Sequence, residues 1–128
     1  MAIDGIVDTS IFIDYLRRIP DAQQWLLTKS NATLAITPVV WMEVVQGARN
    51  KMERAQYIRF LRQFSIEHPT ILDNQWAMRQ FAQFHLSHGI EMADVMIASV
   101  AVRLGTPLYT LNVRHYISLS GIKVQRPY

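Results

Sequence analysis

Three carboxylates sit inside apolar sequence, where a charge is costly. Asp8 closes the run Gly5-Ile6-Val7-Asp8. Glu43 lies within Pro38-Val39-Val40-Trp41-Met42-Glu43-Val44-Val45, and Asp94 opens Asp94-Val95-Met96-Ile97-Ala98. A buried carboxylate costs several kcal/mol unless something neutralises it. Two of them about 4 Å apart repel by roughly 4 kcal/mol at an effective dielectric of 20. Three that converge would hold one another protonated unless a cation intervened. An oxygen-only donor set selects a hard ion, Mg²⁺ or Mn²⁺. Such an ion activates water and stabilises charge on a phosphoryl oxygen. Each acid also has a plainer reading: Asp8 as a turn or cap residue, Asp94 as an N-cap, Glu43 as the partner of a nearby arginine such as Arg49. Asn112 could simply shape the turn in which it sits.

The elements that would position these residues alternate between strand and helix. Ile3–Val7 reads as a short strand ended by Asp8, with Thr9 or Ser10 able to cap a helix over Ile11–Arg18. A helix over Ala22–Lys29 and a strand over Thr33–Ile36 follow. Thr37-Pro38 starts the helix that carries Glu43 to Gly47, with proline in the first turn where its missing N–H is harmless. Apolar residues at 57, 58, 60, 61 and 64 predict a helix over Met52–Phe64, with arginines opposite. His68–Leu72 reads as an extended connection, and Asn74–Leu86 as an amphipathic helix. Met92–Leu104 is apolar nearly all round, a core helix stopped by Gly105. Strands are expected at Pro107–Thr110 and Ile122–Gln125. This alternation predicts an α/β fold, a three-layer α/β/α arrangement around a mainly parallel sheet of four to five short strands. Binding sites in such sheets form beyond the carboxyl ends of the strands. Asp8, Glu43, Asp94 and Asn112 can all face one such crevice. Gly47 and Ala98, one turn beyond Glu43 and Asp94, leave room for a ligand or suit close helix packing.

Composition narrows the classes. The chain has 128 residues, half of them apolar, and 18% charged. One domain over residues 1–128 is expected. There is no cysteine, so thiol chemistry is excluded. The first residues show no positive n-region with an apolar run behind it, and the longest apolar stretch, Val95–Val102, is far below the ~20 residues that span a bilayer. A cytoplasmic protein without membrane association is expected. The net charge is +3, and ten of the thirteen basic residues are arginine, which mildly favours a phosphate-bearing or acidic partner. No nucleophile-elbow context surrounds Ser10, Ser99 or Ser118, and the dispersed glycines form no phosphate-cradling loop. His85 and His88 lack the acid of an H-E-x-x-H motif. Met42, Met78, Met92 and Met96 read as core filler.

Taken in order, Ile6-Val7-Asp8-Thr9-Ser10, Glu43 with Gly47, Ala93-Asp94-Val95-Met96-Ile97-Ala98, and Thr110-Leu111-Asn112-Val113-Arg114-His115-Tyr116 resemble the PIN domain. More narrowly, they are similar to VapC-type toxins of bacterial type II toxin–antitoxin systems. The resemblance implies a Mg²⁺- or Mn²⁺-dependent endoribonuclease, often dimeric, held inactive by a cognate antitoxin. It makes Asp8 and Asp94 the principal metal ligands and Glu43 the third acid, binding directly or through water. Asn112 stands where many relatives carry a fourth acid, one charge fewer. Thr110 and Ser10 would support the cluster through their hydroxyls, and Glu91 is a lesser substitute ligand. Arg114 and Arg49 are the candidates to contact the RNA backbone. An antitoxin peptide is expected over apolar helix surface near Trp25, Leu26 and Trp41. The competing classes are a non-catalytic nucleic-acid or peptide binder, and a metal-dependent nuclease acting on DNA.

Overall fold

The computed structural model describes residues 2–128. Its core is a parallel sheet of five short strands in the order β3-β2-β1-β4-β5. These are β1 Gly5–Val7, β2 Leu34–Ile36, β3 Ser65–Ile66, β4 Leu108–Tyr109 and β5 Val124–Gln125. Seven helices flank it: α1 Thr9–Leu16, α2 Pro20–Thr28, α3 Pro38–Gln46, α4 Lys51–Leu61, α5 Ile71–His88, α6 Met92–Leu104 and α7 Val113–Tyr116. This is the expected α/β/α arrangement. Every residue of β1 and β2 is buried, as a parallel strand covered on both faces requires.

Strand order runs outward from β1 in both directions, so β1 lies where the order reverses. Its register pairs Gly5 with Leu34 on one side and Ile6 with Leu108 on the other. Pairing continues past the end of β1: the Asp8 N–H donates to Tyr109 O at 2.9 Å. That bond fixes Asp8 beside the carboxyl end of β4 and thus beside Thr110.

Local chemistry sets the helix starts. Thr37 caps α3, its Oγ1 accepting from Val40 N at 3.4 Å, with Pro38 in the first turn. Gly105 ends α6 in the left-handed region, φ 66°. The α6 segment buries Val95, Ile97, Ala98, Ser99, Val100 and Ala101 together with Asp94, the core helix its composition predicts.

Some expectations change. The Met52–Phe64 helix ends at Leu61, and Ser65–Ile66 forms the extra edge strand β3. The 68–72 connection is shorter than expected, because α5 begins at Ile71. A reciprocal cap decides this: Thr70 Oγ1 accepts from Asp73 N at 3.1 Å, and Asp73 Oδ2 accepts from Thr70 N at 3.0 Å. Met42, Met78 and Met92 are exposed, and only Met96 of the four packs against the core. Trp25 is buried with its ring 4.9 Å from that of Tyr109, so it offers no surface to a partner. Among the described residues no helix is long and apolar enough to cross a membrane.

Gly5 packs directly against the Tyr109 ring. A Cβ there would collide with Cε2 of the Tyr109 ring and lie 3.1 Å from its Cδ2. Tyr109 is itself held by Trp25 and by Lys29 Nζ, 3.3 Å from its hydroxyl, so the ring has little freedom to retreat. Gly5→Ala is expected to destabilise the protein by about 1–3 kcal/mol through overpacking, read by urea unfolding. Adding Tyr109→Leu should recover part of that loss. A Gly5→Ala protein as stable as wild type would show that the ring moves freely.

Candidate active site

At the carboxyl edge of the sheet, Asp8 is only 5% exposed. It occupies the cap position of α1, yet its side chain caps no helix N–H. Hydroxyls take its oxygens instead. Oδ2 accepts from Thr110 Oγ1 at 2.6 Å and from Ser10 Oγ at 3.1 Å, and Oδ1 accepts from the Tyr116 hydroxyl at 3.2 Å. A carboxylate has about four acceptor positions, so one remains open, on Oδ1. The donors are held in turn. Thr110 Oγ1 accepts from Asn112 N at 3.0 Å, and Ser10 Oγ accepts from Leu111 N at 3.2 Å. Both supporting hydroxyls thus touch Asp8.

Asp94 is 8% exposed and sits at the third position of α6 rather than at its cap. Its Oδ2 accepts from Glu91 N at 3.1 Å and lies 3.3 Å from His115 Nδ1. The buried Tyr116 hydroxyl faces both Asp8 and Asp94. It has one proton to give, so it cannot satisfy both at once. Burial first, then the two carboxylate charges, push the Tyr116 phenol well above its ordinary value.

Glu43 comes from α3, and its Oε1 accepts from Thr9 Oγ1 at 2.7 Å. Desolvation raises its pKa; the Thr9 hydrogen bond opposes this, and the charges of Asp8, Asp94 and Glu91 raise it further. Asp94 is raised chiefly by desolvation, opposed by the Glu91 N–H and His115 and reinforced by Asp8 and Glu91. The three acids therefore sense one another. They do not yet close around one point: among the described residues no three acidic or imidazole groups are arranged to hold an ion together.

The remaining predicted residues divide. Asn112 is exposed at the start of α7, and its side chain makes no hydrogen bond among the described residues. It lines a cavity of about 380 Å³ with Leu111, Val113, Arg114, His115 and Arg126. Arg49 is not the partner of Glu43. It forks onto Glu53, Nη2 to Oε2 at 2.6 Å and Nε to Oε2 at 3.0 Å, at the start of α4. Gly47 lines a cleft of about 160 Å³ with Glu43, Arg17 and Tyr57, whereas Ala98 is wholly buried and serves packing. Sequence reasoning assigned no role to Tyr116, His115 or Arg17, and it gave Thr9 only a helix cap, whereas Thr9 is the first residue of α1 and Asp8 holds the cap position. Tyr116 and His115 lie in the quoted Thr110–Tyr116 segment. The signal for them was their spacing, four and three residues after Asn112, which brings them back over the site only if a helical turn follows Asn112.

Residues 5–117, which include all three acids, match the PIN domain. The chain belongs to the PIN domain family. Ribonuclease VapC10 of Mycobacterium tuberculosis is 30% identical to it over 120 residues, covering 92% of this chain and 90% of that protein. Ribonuclease VapC19 of the same organism is 32% identical over 117 residues, covering 87% and 90%. Among solved structures, a toxin–antitoxin complex from Klebsiella pneumoniae shares the fold with a TM-score of 0.75 over 98% of both chains, at 24% identity. The PIN domain described here thus places its acids at the strand-order reversal of the family's sheet.

Its charge arrangement carries a pH signature. A carboxyl whose pKa is higher folded than unfolded binds its proton more tightly in the native state. It favours the fold below the ordinary values, 3.8 for Asp94 and 4.5 for Glu43, and that contribution is lost as pH rises through the raised values. In EDTA the melting temperature of wild type should therefore fall more steeply than that of Asp94→Asn as pH rises from about 4 toward neutrality. Parallel profiles for the two proteins would show that Asp94 carries no such strain.

Proposed function

We propose that this PIN domain, one unit over residues 1–128, is a Mg²⁺- or Mn²⁺-dependent endoribonuclease and the toxin of a type II toxin–antitoxin pair. One observation carries the reading: Asp8, Asp94 and Glu43 gather at one sheet edge with no lysine or arginine within 4.0 Å of any of them among the described residues. The likeness to two VapC ribonucleases supports it.

The donor set fits a hard divalent cation. It is all oxygen and has no lysine or arginine partner; Asp8 and Asp94 are buried while Glu43 is exposed, and Asp8 keeps an acceptor position open. Asp8 and Asp94 would hold the ion directly, with Glu43 joining through water or by exchanging Thr9. When bound, such an ion supplies an activated water and stabilises charge on a phosphoryl oxygen. The protein's own groups do the rest. Thr110 and Ser10 fix the Asp8 rotamer. His115 orients Asp94, and Tyr116 ties the two aspartates to one phenol. The unpaired Asn112 amide is free to hydrogen-bond an RNA oxygen, and Arg114 to contact a phosphate. Arg49 joins them only by exchanging Glu53 for phosphate.

The partner is a cognate antitoxin, in a complex that is a homodimer or a toxin–antitoxin hetero-oligomer. Leu26 and Leu27 open onto a cavity of about 460 Å³ with Tyr15 and Phe60, which suits an apolar peptide segment. Localisation in the cytoplasm follows from an RNA substrate and this partner.

Purified antitoxin-free protein should cut RNA in Mg²⁺ or Mn²⁺ and stop in EDTA. Asp8→Asn should lose about 100-fold or more, and Thr110→Val about 10–100-fold, as expected for a residue that orients a metal ligand. Cleavage by Asp8→Asn at the wild-type rate rejects the mechanism. Binding of RNA with no metal-dependent cutting supports the non-catalytic alternative, and preferential cutting of DNA supports the other.

A further inference from the structure

Arginine charge collects beside the acids without being allowed onto them. Arg126 follows β5, so it leaves the sheet at the same carboxyl edge as Asp8 and Thr110. Its Nη1 donates to Leu111 O at 3.2 Å and its Nε to Tyr128 O at 2.9 Å. The Tyr128 hydroxyl donates in turn to Asp14 Oδ2 on α1 at 2.9 Å. Arg126 is thus pinned by main-chain oxygens, while no Asp or Glu side chain pairs with it. Arg114, on α7, is exposed and makes no ion pair either. Both line the 380 Å³ cavity that contains Asn112 and His115 and no acidic residue. His115, 3.3 Å from Asp94, is the wall shared by this cavity and the acid cluster.

We propose that this groove binds a backbone phosphate of the RNA next to the cleaved one, with Arg126 as its fixed anchor and Arg114 as its second cation. The proposal rests on the nuclease reading above and extends it to a residue beyond the 5–117 segment that defines the family. A guanidinium presents five donors in a rigid fork. With two donors spent on main-chain oxygens, Arg126 keeps the rest for an anion, already oriented. Fixing the side chain in advance removes part of the ordering cost of binding. The groove is also selective by charge. An acidic protein segment would satisfy the arginines equally, but it would bring its own carboxylates against Asp94, whereas a polynucleotide offers its next phosphate to the cation the acids require.

The test is RNA affinity as a function of salt. A 2′-O-methyl oligonucleotide of about 12 nucleotides is bound to the full chain in Ca²⁺, and cleavage of the unmodified RNA is followed in Mg²⁺. Arg126→Gln and Arg114→Gln are each expected to reduce the slope of log affinity against log salt by about 0.7 in magnitude. Each should raise KM about 5–10-fold with kcat within about twofold, as for a contact that binds without reacting. Arg126→Lys should keep most of the affinity, and Arg79→Gln, on exposed α5 surface, should change nothing. If Arg126→Gln melts early, Arg114→Gln carries the test, since Arg114 is exposed and makes no hydrogen bond or ion pair among the described residues. Wild-type slope and KM in both variants, or a wild type whose RNA binding ignores salt, overturns the groove. So does an acidic peptide that is lost from both variants while RNA is not. Failure of the nuclease reading looks different: wild type cuts nothing in Mg²⁺, yet the slope still falls in both variants.

Discussion

Buried negative charge without a basic partner is the constraint around which this fold is arranged. The chain can neutralise a buried acid in the ordinary way. Asp73 is as deeply buried as Asp8, and Arg103 Nε reaches its Oδ2 at 2.8 Å. A capping bond from Thr70 completes its environment. Nothing comparable happens at Asp8 or Asp94. Asp8 receives only hydroxyls, and Asp94 receives a backbone N–H and an imidazole whose charge depends on pH. Hydroxyl donors hold a carboxylate in place without cancelling its charge. On the proposed reading, that distinction separates an acid kept for structure from one kept for a cation.

The sheet is what makes such a cluster possible. Parallel pairing sends every strand end to the same edge, and the reversal of order at β1 leaves that edge open between diverging connections. Asp8 at the end of β1, Thr110 at the end of β4 and Arg126 beyond β5 are neighbours for this reason alone, although more than a hundred residues separate the first from the others. The helices add the remaining acids from above the edge: α3 brings Glu43, and the first turn of α6 brings Asp94. Fully buried apolar residues on α6 and β1 hold these pieces still. Desolvation by this packing is the largest cause that raises Glu43 and Asp94, and the charges of the neighbouring acids add to it.

Much of this was legible before any coordinates. A charge inside an apolar run is conspicuous, so all three acids could be named. Glycine and proline punctuation placed most helix ends, and alternation gave the parallel sheet. What escaped depends on contacts that are not local. Two-residue strands such as Ser65–Ile66 have no period to detect; β3 exists because β2 offers it an edge. The start of α5 was missed because Thr70 and Asp73 cap each other only once the turn has formed. Arg49 was placed beside Glu43 on proximity in sequence, but Glu53, four residues on, lies one helical turn away and wins it. Tyr116 escaped for the opposite reason. A tyrosine after a strand end reads as core, and it is core in its ring; only its hydroxyl reaches the acids.

The placement of the arginines follows from the same electrostatics. A guanidinium inserted among Asp8, Glu43 and Asp94 would relieve their repulsion at once, and it would also occupy the oxygens that the proposed divalent ion requires. Cations are therefore useful near the cluster and harmful within it. Arg17 shares a cleft with Glu43 on one side without reaching hydrogen-bond range, and Arg114 and Arg126 share the cavity beyond His115 on the other. Tying Arg126 to Leu111 O and Tyr128 O keeps its charge at that distance. A polyanion crossing from one cleft to the other would meet positive, negative and positive surface in turn. On the proposed nuclease reading, only the middle stretch needs a cation brought from solution to complete the match, which would place the reacting phosphate over the acids and its neighbours over the arginines.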